Sequence, residues 1–185
     1  GYELMMAPYA IAHMKIGLKL YETGYRFKSD ERARVYLTNA LEPAQDDSGT
    51  FTFAIPALAR EADAVNAVKR DQKFTVVIGN PPYLGEGGIS QGWIGDLISD
   101  YKKEPGGKVK LKERNPKWLN DHYVKFIRMS SHLITKNSTG ILGLITNNGY
   151  LDNPTFRGMR WHLLQTFDKI FVLNLHGNSK KKETN

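Results

Sequence analysis

The sequence predicts an α/β fold built on a mostly parallel sheet, and three observations carry that reading. Two short runs, Phe74–Ile78 and Ile141–Thr146, apolar but for one threonine in each, have the length and content of strands buried in a parallel sheet. Between the strand-like runs lie stretches with apolar residues at helical spacing, as the crossovers of parallel strands require. Both runs stop at polar turns that begin with asparagine, on the rim where open α/β sheets bind ligands. At 185 residues the chain is long enough for one domain with its own core.

Gly1–Leu4 reads as the end of a strand. A helix follows from about Ala7 to Tyr21, with Pro8 in its first turn. Ala12, Ile16 and Leu20, and likewise Ala10, Met14 and Leu18, recur at helical spacing. Thr23-Gly24 ends this helix, Arg34–Asn39 forms the next strand, and Asn39–Pro43 is the loop beyond it. Residues 44–50 are polar loop. Ile55–Arg70 is an alanine-rich helix expected to bury Ala57, Ala64 and Val68 before the chain enters the strand at Phe74.

Gly79 lets the chain leave that strand tightly, and Asn80-Pro81-Pro82-Tyr83 follows. Two prolines fix φ twice, remove two donors and push Asn80 out of the helical region. Gly85-Glu86-Gly87-Gly88 lacks the lysine of a phosphate-cradling loop and is read as a mobile flap. Gln91–Tyr101 is a short helix. The stretch to Lys117 is the most basic in the chain, carrying Lys102, Lys103, Lys108, Lys110, Lys112, Arg114 and Lys117. It is an excursion beside the proline turn, placed to meet phosphates. A helix over about His122–Thr135, capped by Asn120 or Asp121, buries Val124, Phe126, Ile127 and Leu133.

After the turn Asn137–Gly140 comes the second apolar strand, with its rim at Asn147-Asn148-Gly149-Tyr150. Asn153 caps a helix with Pro154 in its first turn, reaching about Gln165. A last strand lies within Asp168–Leu175, ahead of a lysine-rich tail from His176.

Composition excludes several classes. No run of 18 apolar residues exists, so no transmembrane helix and no membrane partner are expected. There is no signal-like N-terminus. The sequence opens at Gly1 inside a strand-to-helix turn, and is expected to be a piece of a longer protein. It has no cysteine, which rules out disulfides and thiolate zinc sites and fits a cytoplasmic location. Five histidines are scattered without ligand spacing, so no metal is expected. A net charge of +7 suits a polyanionic partner.

The proline turn suggests a chemistry. An amino group on a heterocycle is a poor nucleophile because its lone pair is delocalised into the ring. The Asn80 side-chain oxygen and the Pro81 carbonyl can take a hydrogen bond from each amino hydrogen, leaving the lone pair aimed at an electrophile. Rigid prolines hold both acceptors in place beforehand. Tyr83 would stack on a base drawn out of its duplex. Glu3, closing its strand, suits two adjacent ribose hydroxyls, since a carboxylate accepts from both.

Asn80-Pro81-Pro82-Tyr83 resembles the catalytic motif of the N6-adenine DNA methyltransferases. Three longer stretches widen the resemblance: Gly1–His13, Trp118–Arg128, and Gly149–Arg160 with His176-Gly177-Asn178. They are similar to the methyltransferase part of large single-chain restriction–modification enzymes. The resemblance implies a Rossmann-like methyltransferase sheet, mostly parallel and incomplete. Its first strand and cofactor glycine loop are expected ahead of Gly1, and a target-recognition domain beyond Asn185.

Residues 1–185 would then be a partial catalytic domain with a basic insertion at about 84–117. Glu3, Asn39, Ala40 and Asn80 would hold S-adenosylmethionine, with Asn39 standing where the family usually has aspartate. Asn80, Pro81, Pro82 and Tyr83 would be catalytic. The basic residues of the insertion would contact double-stranded DNA. Direct transfer to an exocyclic nitrogen needs no cysteine, unlike attack at cytosine C5. Methylation of RNA guanine N2 or of a protein glutamine, and a non-catalytic nucleic-acid-binding remnant, remain as alternatives. The piece alone is expected not to methylate DNA.

Overall fold

The computed structural model describes residues 1–29, 31–45, 56–83, 91–114 and 116–175. The expected glycine-rich flap at 85–88, most of the 44–50 loop and the tail from 176 lie outside the described residues. The chain divides into two compact units, Gly1–Gln72 and Lys73–Asn185.

In the first unit, strand β1 (Tyr2–Glu3) pairs in parallel with β2 (Tyr36–Leu37), setting Glu3 opposite Leu37. Helix α1 (Met6–Glu22) connects them. It ends where the Thr23 hydroxyl donates to the Leu20 carbonyl at 2.8 Å and Gly24 turns to a φ of +88°. Although its apolar residues follow helical spacing, none of its residues is buried, and Met14, Ile16 and Leu18 are exposed.

Helix α2 (Pro56–Asp71) presents a different face from the one expected. Ala57 is exposed, Ala64 and Val68 are half-buried, and the buried residues are Ala59, Val65 and Asn66. Polar anchors set this rotation. Glu61 accepts from the Leu37 backbone N–H at 3.0 Å and pairs with Arg32 at 2.7 Å. The Lys69 ammonium donates to the carbonyls of Asn39 and Glu42 at 2.8 and 2.9 Å.

The second unit holds the larger core. Strand β3 (Val76–Gly79) pairs in parallel with β4 (Ile141–Leu144), from Val76 opposite Ile141 to Gly79 opposite Leu144. Helix α3 (Gly92–Ser99) runs into a 3-10 turn at Asp100–Lys102, helix α4 (His122–Thr135) packs on both strands, and helix α5 (Arg157–Thr166) packs on the Asp100–Lys102 turn. Ile98, Tyr101, Leu119, Val124 and Met159 are fully buried. Gly140 admits the chain into β4, since a Cβ there would lie 2.7 Å from the Thr75 carbonyl oxygen.

The two apolar strands are not buried on both faces as expected. Alternation sends Val77, Leu142 and Leu144 to one side, where they are half-buried. On the other side Val76, Ile78 and Ile141 are exposed, Ile78 by 80%. The last expected strand is absent: residues 168–175 carry no ladder pairing among the described residues, and Phe171 is 90% exposed. A strand is defined by its neighbour, and this segment has none there.

Capping divides between one success and one correction. The Asn153 side chain accepts from the Thr155 N–H at 3.0 Å with Pro154 next in line, as expected. Asp121 occupies the capping position of α4 but makes no side-chain cap bond, and its Oδ1 is buried without a hydrogen-bond partner. No helix among the described residues is long and apolar enough to cross a membrane.

Candidate active site

Parallel pairing brings the ends of β3 and β4 to one rim. The Ile145 N–H donates to the Gly79 carbonyl at 3.0 Å, so Asn80 and residues 145–150 leave the sheet side by side. Pro81 is buried and anchors the corner, while Asn80 and Pro82 are exposed. The Pro81 carbonyl accepts no hydrogen bond among the described residues. Tyr83 does not simply present its ring. Its hydroxyl lies 2.7 Å from Asn80 Oδ1 and 2.8 Å from the Ile145 carbonyl oxygen, and its single proton serves one of them at a time. Tyr83 as a whole is 45% exposed.

Two further aromatic rings stand beside it. Tyr123, in the first turn of α4, meets Tyr83 edge-on with centroids 6.5 Å apart, and Tyr150 lies 6.3 Å from Tyr123. Burial pushes the Tyr123 hydroxyl well above its ordinary range, so it remains a neutral donor. Asn147 Oδ1 accepts from the Gly149 N–H at 2.7 Å, a tight turn that fixes the tyrosine after it. Tyr150 was visible in the sequence as part of a polar and aromatic rim. Tyr123 was not, because a tyrosine at a helix start carries no signal of its neighbours.

The first unit gathers the residues expected to grip a nucleoside. Glu3 and Asn39 share one edge: the Thr38 N–H donates to the Glu3 carbonyl at 2.7 Å, and Asn39 follows it directly. Glu3 Oε1 accepts from the Met5 N–H at 2.9 Å, which fixes the carboxylate, while its second oxygen takes no hydrogen bond among the described residues. Asn39 Oδ1 accepts from the Leu41 N–H at 3.0 Å and its amide donates to Glu42 at 2.9 Å. These bonds hold the Asn39-Ala40-Leu41 loop open at the mouth of a cavity of about 210 Å³. Asn39, Glu42, Asn66 and Lys69 line it with Leu37 and Val65. Of the residues expected to hold a nucleoside cofactor, Asn39 lines this cavity, while Glu3 and Ala40 are not among its lining residues.

The basic stretch is not a loose excursion. Residues 102–111 fold back on themselves, with Lys103 opposite Lys110 and the Leu111 N–H donating to the Lys102 carbonyl at 2.8 Å. The bend has proline at its second position, Gly106 at φ +101° and a 2.9 Å bond from the Gly107 N–H to the Glu104 carbonyl, the requirements of a type II turn. Of the seven cations expected to meet DNA, Lys102 and Lys103 are half-buried and Lys103 pairs with Asp100 at 2.8 Å. Lys117 sits over the Trp118 ring at 5.1 Å. Lys108, Lys110, Lys112 and Arg114 are exposed.

Comparison with known proteins agrees with this geometry. The model of the Eco57I restriction-modification methylase family matches residues 6–180. Among solved structures, a nuclease-deletion mutant of the Type ISP restriction-modification enzyme LlaGI, in complex with a DNA substrate mimic, is similar with a TM-score of 0.67 at 22% identity. That match covers 90% of this chain and 13% of the other. The ATP-dependent Type ISP enzyme LlaBIII bound to DNA matches with a TM-score of 0.64 at 23% identity, over 88% of this chain and 11% of its own. A DrdV–DNA complex matches with a TM-score of 0.62 at 24% identity, over 90% and 16%. The chain thus spans less than a fifth of each of these proteins. No curated protein matches it. A family match over nearly the whole length, with the expected parallel strand pairs and an exposed asparagine corner, has one conclusion: this chain belongs to the Eco57I restriction-modification methylase family.

Proposed function

We propose that the chain is the catalytic part of a DNA adenine-N6 methyltransferase within a restriction–modification enzyme. The observation that carries this reading is the Asn80-Pro81 corner. It holds an exposed asparagine and, among the described residues, an unengaged carbonyl at the end of a parallel strand, in a chain of a modification-methylase family. A flipped adenine would lay its ring against Tyr83 and donate its two amino hydrogens to Asn80 Oδ1 and the Pro81 carbonyl. With both hydrogens held, the nitrogen lone pair leaves conjugation with the ring. S-adenosylmethionine, when bound, supplies an electrophilic methyl group. Asn80 and the Pro81 carbonyl would keep the amino nitrogen turned toward that methyl donor, and the proton the nitrogen sheds would pass to water. Glu3 and the Asn39-Ala40 loop would hold the cofactor's ribose and adenine. The exposed Lys108, Lys110, Lys112 and Arg114 would meet the phosphate backbone, with Lys102, Lys103 and Lys117 behind them.

The test uses the full-length protein that carries this chain and a cofactor labelled in its methyl group. Duplex DNA, structured RNA and a protein glutamine substrate are offered together. The expected outcome is label on adenine N6 of DNA, and Asn80→Ala should lower the rate by about 100-fold or more. Label on RNA guanine, on protein or on cytosine N4 would replace this reading, and binding without transfer would leave a nucleic-acid-binding remnant.

A further inference from the structure

We infer that Arg157 is a positioning residue that clamps the folded-back basic segment, so that Lys108, Lys110 and Lys112 meet a duplex backbone as one fixed row. The inference rests on the DNA reading above and adds to it how the contact surface is held.

The row is written in the chain as Lys108-Val109-Lys110-Leu111-Lys112. Along the returning arm Lys110 and Lys112 alternate with Leu111, and Lys108 precedes them in the bend after Gly107. Leu111 is buried and the three lysines are exposed. None of them takes an ion pair among the described residues. Lysines two apart on such an arm recur at about 6.7 Å, close to twice the axial rise of about 3.4 Å per phosphate on one DNA strand.

What makes the arm a surface rather than a flexible loop is its fastening to α5. The Arg157 Nε and one terminal nitrogen donate to the two oxygens of Glu104, each at 2.7 Å, in a two-pronged bond. Its other terminal nitrogen donates to Glu113 and, at 2.9 Å, to the Pro154 carbonyl. Glu104 opens the fold-back and Glu113 follows its last lysine, so one guanidinium ties both ends. Glu104 also accepts from the Lys112 N–H at 2.8 Å, which locks the arm in register. Packing reinforces the bond. Gly107 lies against the Trp161 ring, 3.0 Å from where its Cβ would be, and Gly158 allows α5 to approach the Lys103 carbonyl so closely that a Cβ would overlap it. The arginine side chain is 27% exposed and Glu104 23%, so the fork is largely shielded from competing water.

The carboxylates give the decisive experiment. Glu104→Gln with Glu113→Gln makes the protein more positive by two charges, so electrostatic attraction alone predicts tighter DNA binding. A clamp predicts the opposite. In the full-length protein, duplex affinity is measured by fluorescence anisotropy across roughly 50–200 mM salt. Replacing Lys108, Lys110 and Lys112 with alanine should flatten the dependence of log K on log salt by about 2–3. The double Glu→Gln variant should weaken binding about 5-fold and flatten the same slope, and adding it to the lysine changes should cost little more. Arg157→Lys keeps the charge but loses the fork, and should resemble the double Glu→Gln variant.

Tighter or unchanged binding by the Glu→Gln pair would overturn the clamp. A triple-lysine variant with the parental slope would overturn the row, and these exposed positions put folding at little risk. If the unaltered protein binds no duplex at all, the DNA reading itself fails and takes the inference with it. Binding with parental slopes in every variant removes both the row and the clamp and leaves the DNA reading standing.

Discussion

Helices α1 and α4 look alike in sequence and end up in opposite circumstances. Both carry apolar residues at helical spacing, yet α1 buries none of its 17 residues while α4 buries nine of its 14. Helix α4 lies on β3 and β4 and against α3, and even Arg128 is drawn in, bonded to the Leu97 carbonyl at 3.0 Å and to Asp100 at 2.8 Å. Helix α1 meets its two short flanking strands and the segment between them, where His13 lies 3.1 Å from the Val35 carbonyl oxygen and Arg32 donates to the Tyr9 hydroxyl at 3.0 Å, and Leu4, Met5 and Met6 at its start are exposed. Periodicity announces that a helix has an apolar side. It does not announce what covers that side, because the cover comes from distant parts of the chain.

Four measurements would sharpen or break that contrast. The largest effect is expected at Ile134→Ala in α4, where a residue only 4% exposed would leave a cavity. Denaturant unfolding should report a loss of about 2–5 kcal/mol. Gly158→Ala should cost about 1–3 kcal/mol, because its new Cβ would collide with the Lys103 and Tyr101 carbonyls. Fast hydrogen exchange in residues 100–112 would locate the damage at that contact.

A smaller effect follows from acid. The Arg157 guanidinium, helped by the Lys112 N–H, holds the Glu104 carboxyl down at about 2, below its ordinary 4.5. A depressed carboxylate stabilises the folded state fully above the unfolded value. Protection of the 102–111 fold-back should therefore persist to about pH 4.5 and fade as the pH drops toward 2. Loss of that protection already at pH 6 would mean another group controls it. The smallest effect belongs to α1: Met14→Ser, at a residue 57% exposed, should change stability by less than about 0.5 kcal/mol. A cost above about 1.5 kcal/mol would mean that α1 does have a cover, and the contrast would dissolve.

Features governed by neighbours in sequence were the legible ones. The Asn153 cap followed by Pro154 and the stiff asparagine corner both follow from local rules. Features governed by distant partners were not. The rotation of α2 is set by Glu61 reaching the Leu37 N–H and Lys69 reaching the Asn39 carbonyl, 24 and 30 residues away. The basic stretch reads as an excursion until Arg157, 53 residues beyond Glu104, pins it. The residues 168–175 have strand composition but no ladder pairing among the described residues, and composition cannot supply it.

Under the proposed function, the 2.7 Å bond between the Tyr83 hydroxyl and Asn80 Oδ1 would change what an arriving nucleobase has to do. The amide oxygen is not waiting in water for a donor; the protein already keeps one on it as a placeholder. An incoming amine therefore exchanges one hydrogen bond for another, and the Ile145 carbonyl, 2.8 Å from the same hydroxyl, is at hand to receive the displaced proton donor. Filling the corner would then cost the turn of one hydroxyl proton and no movement of the ring that carries it.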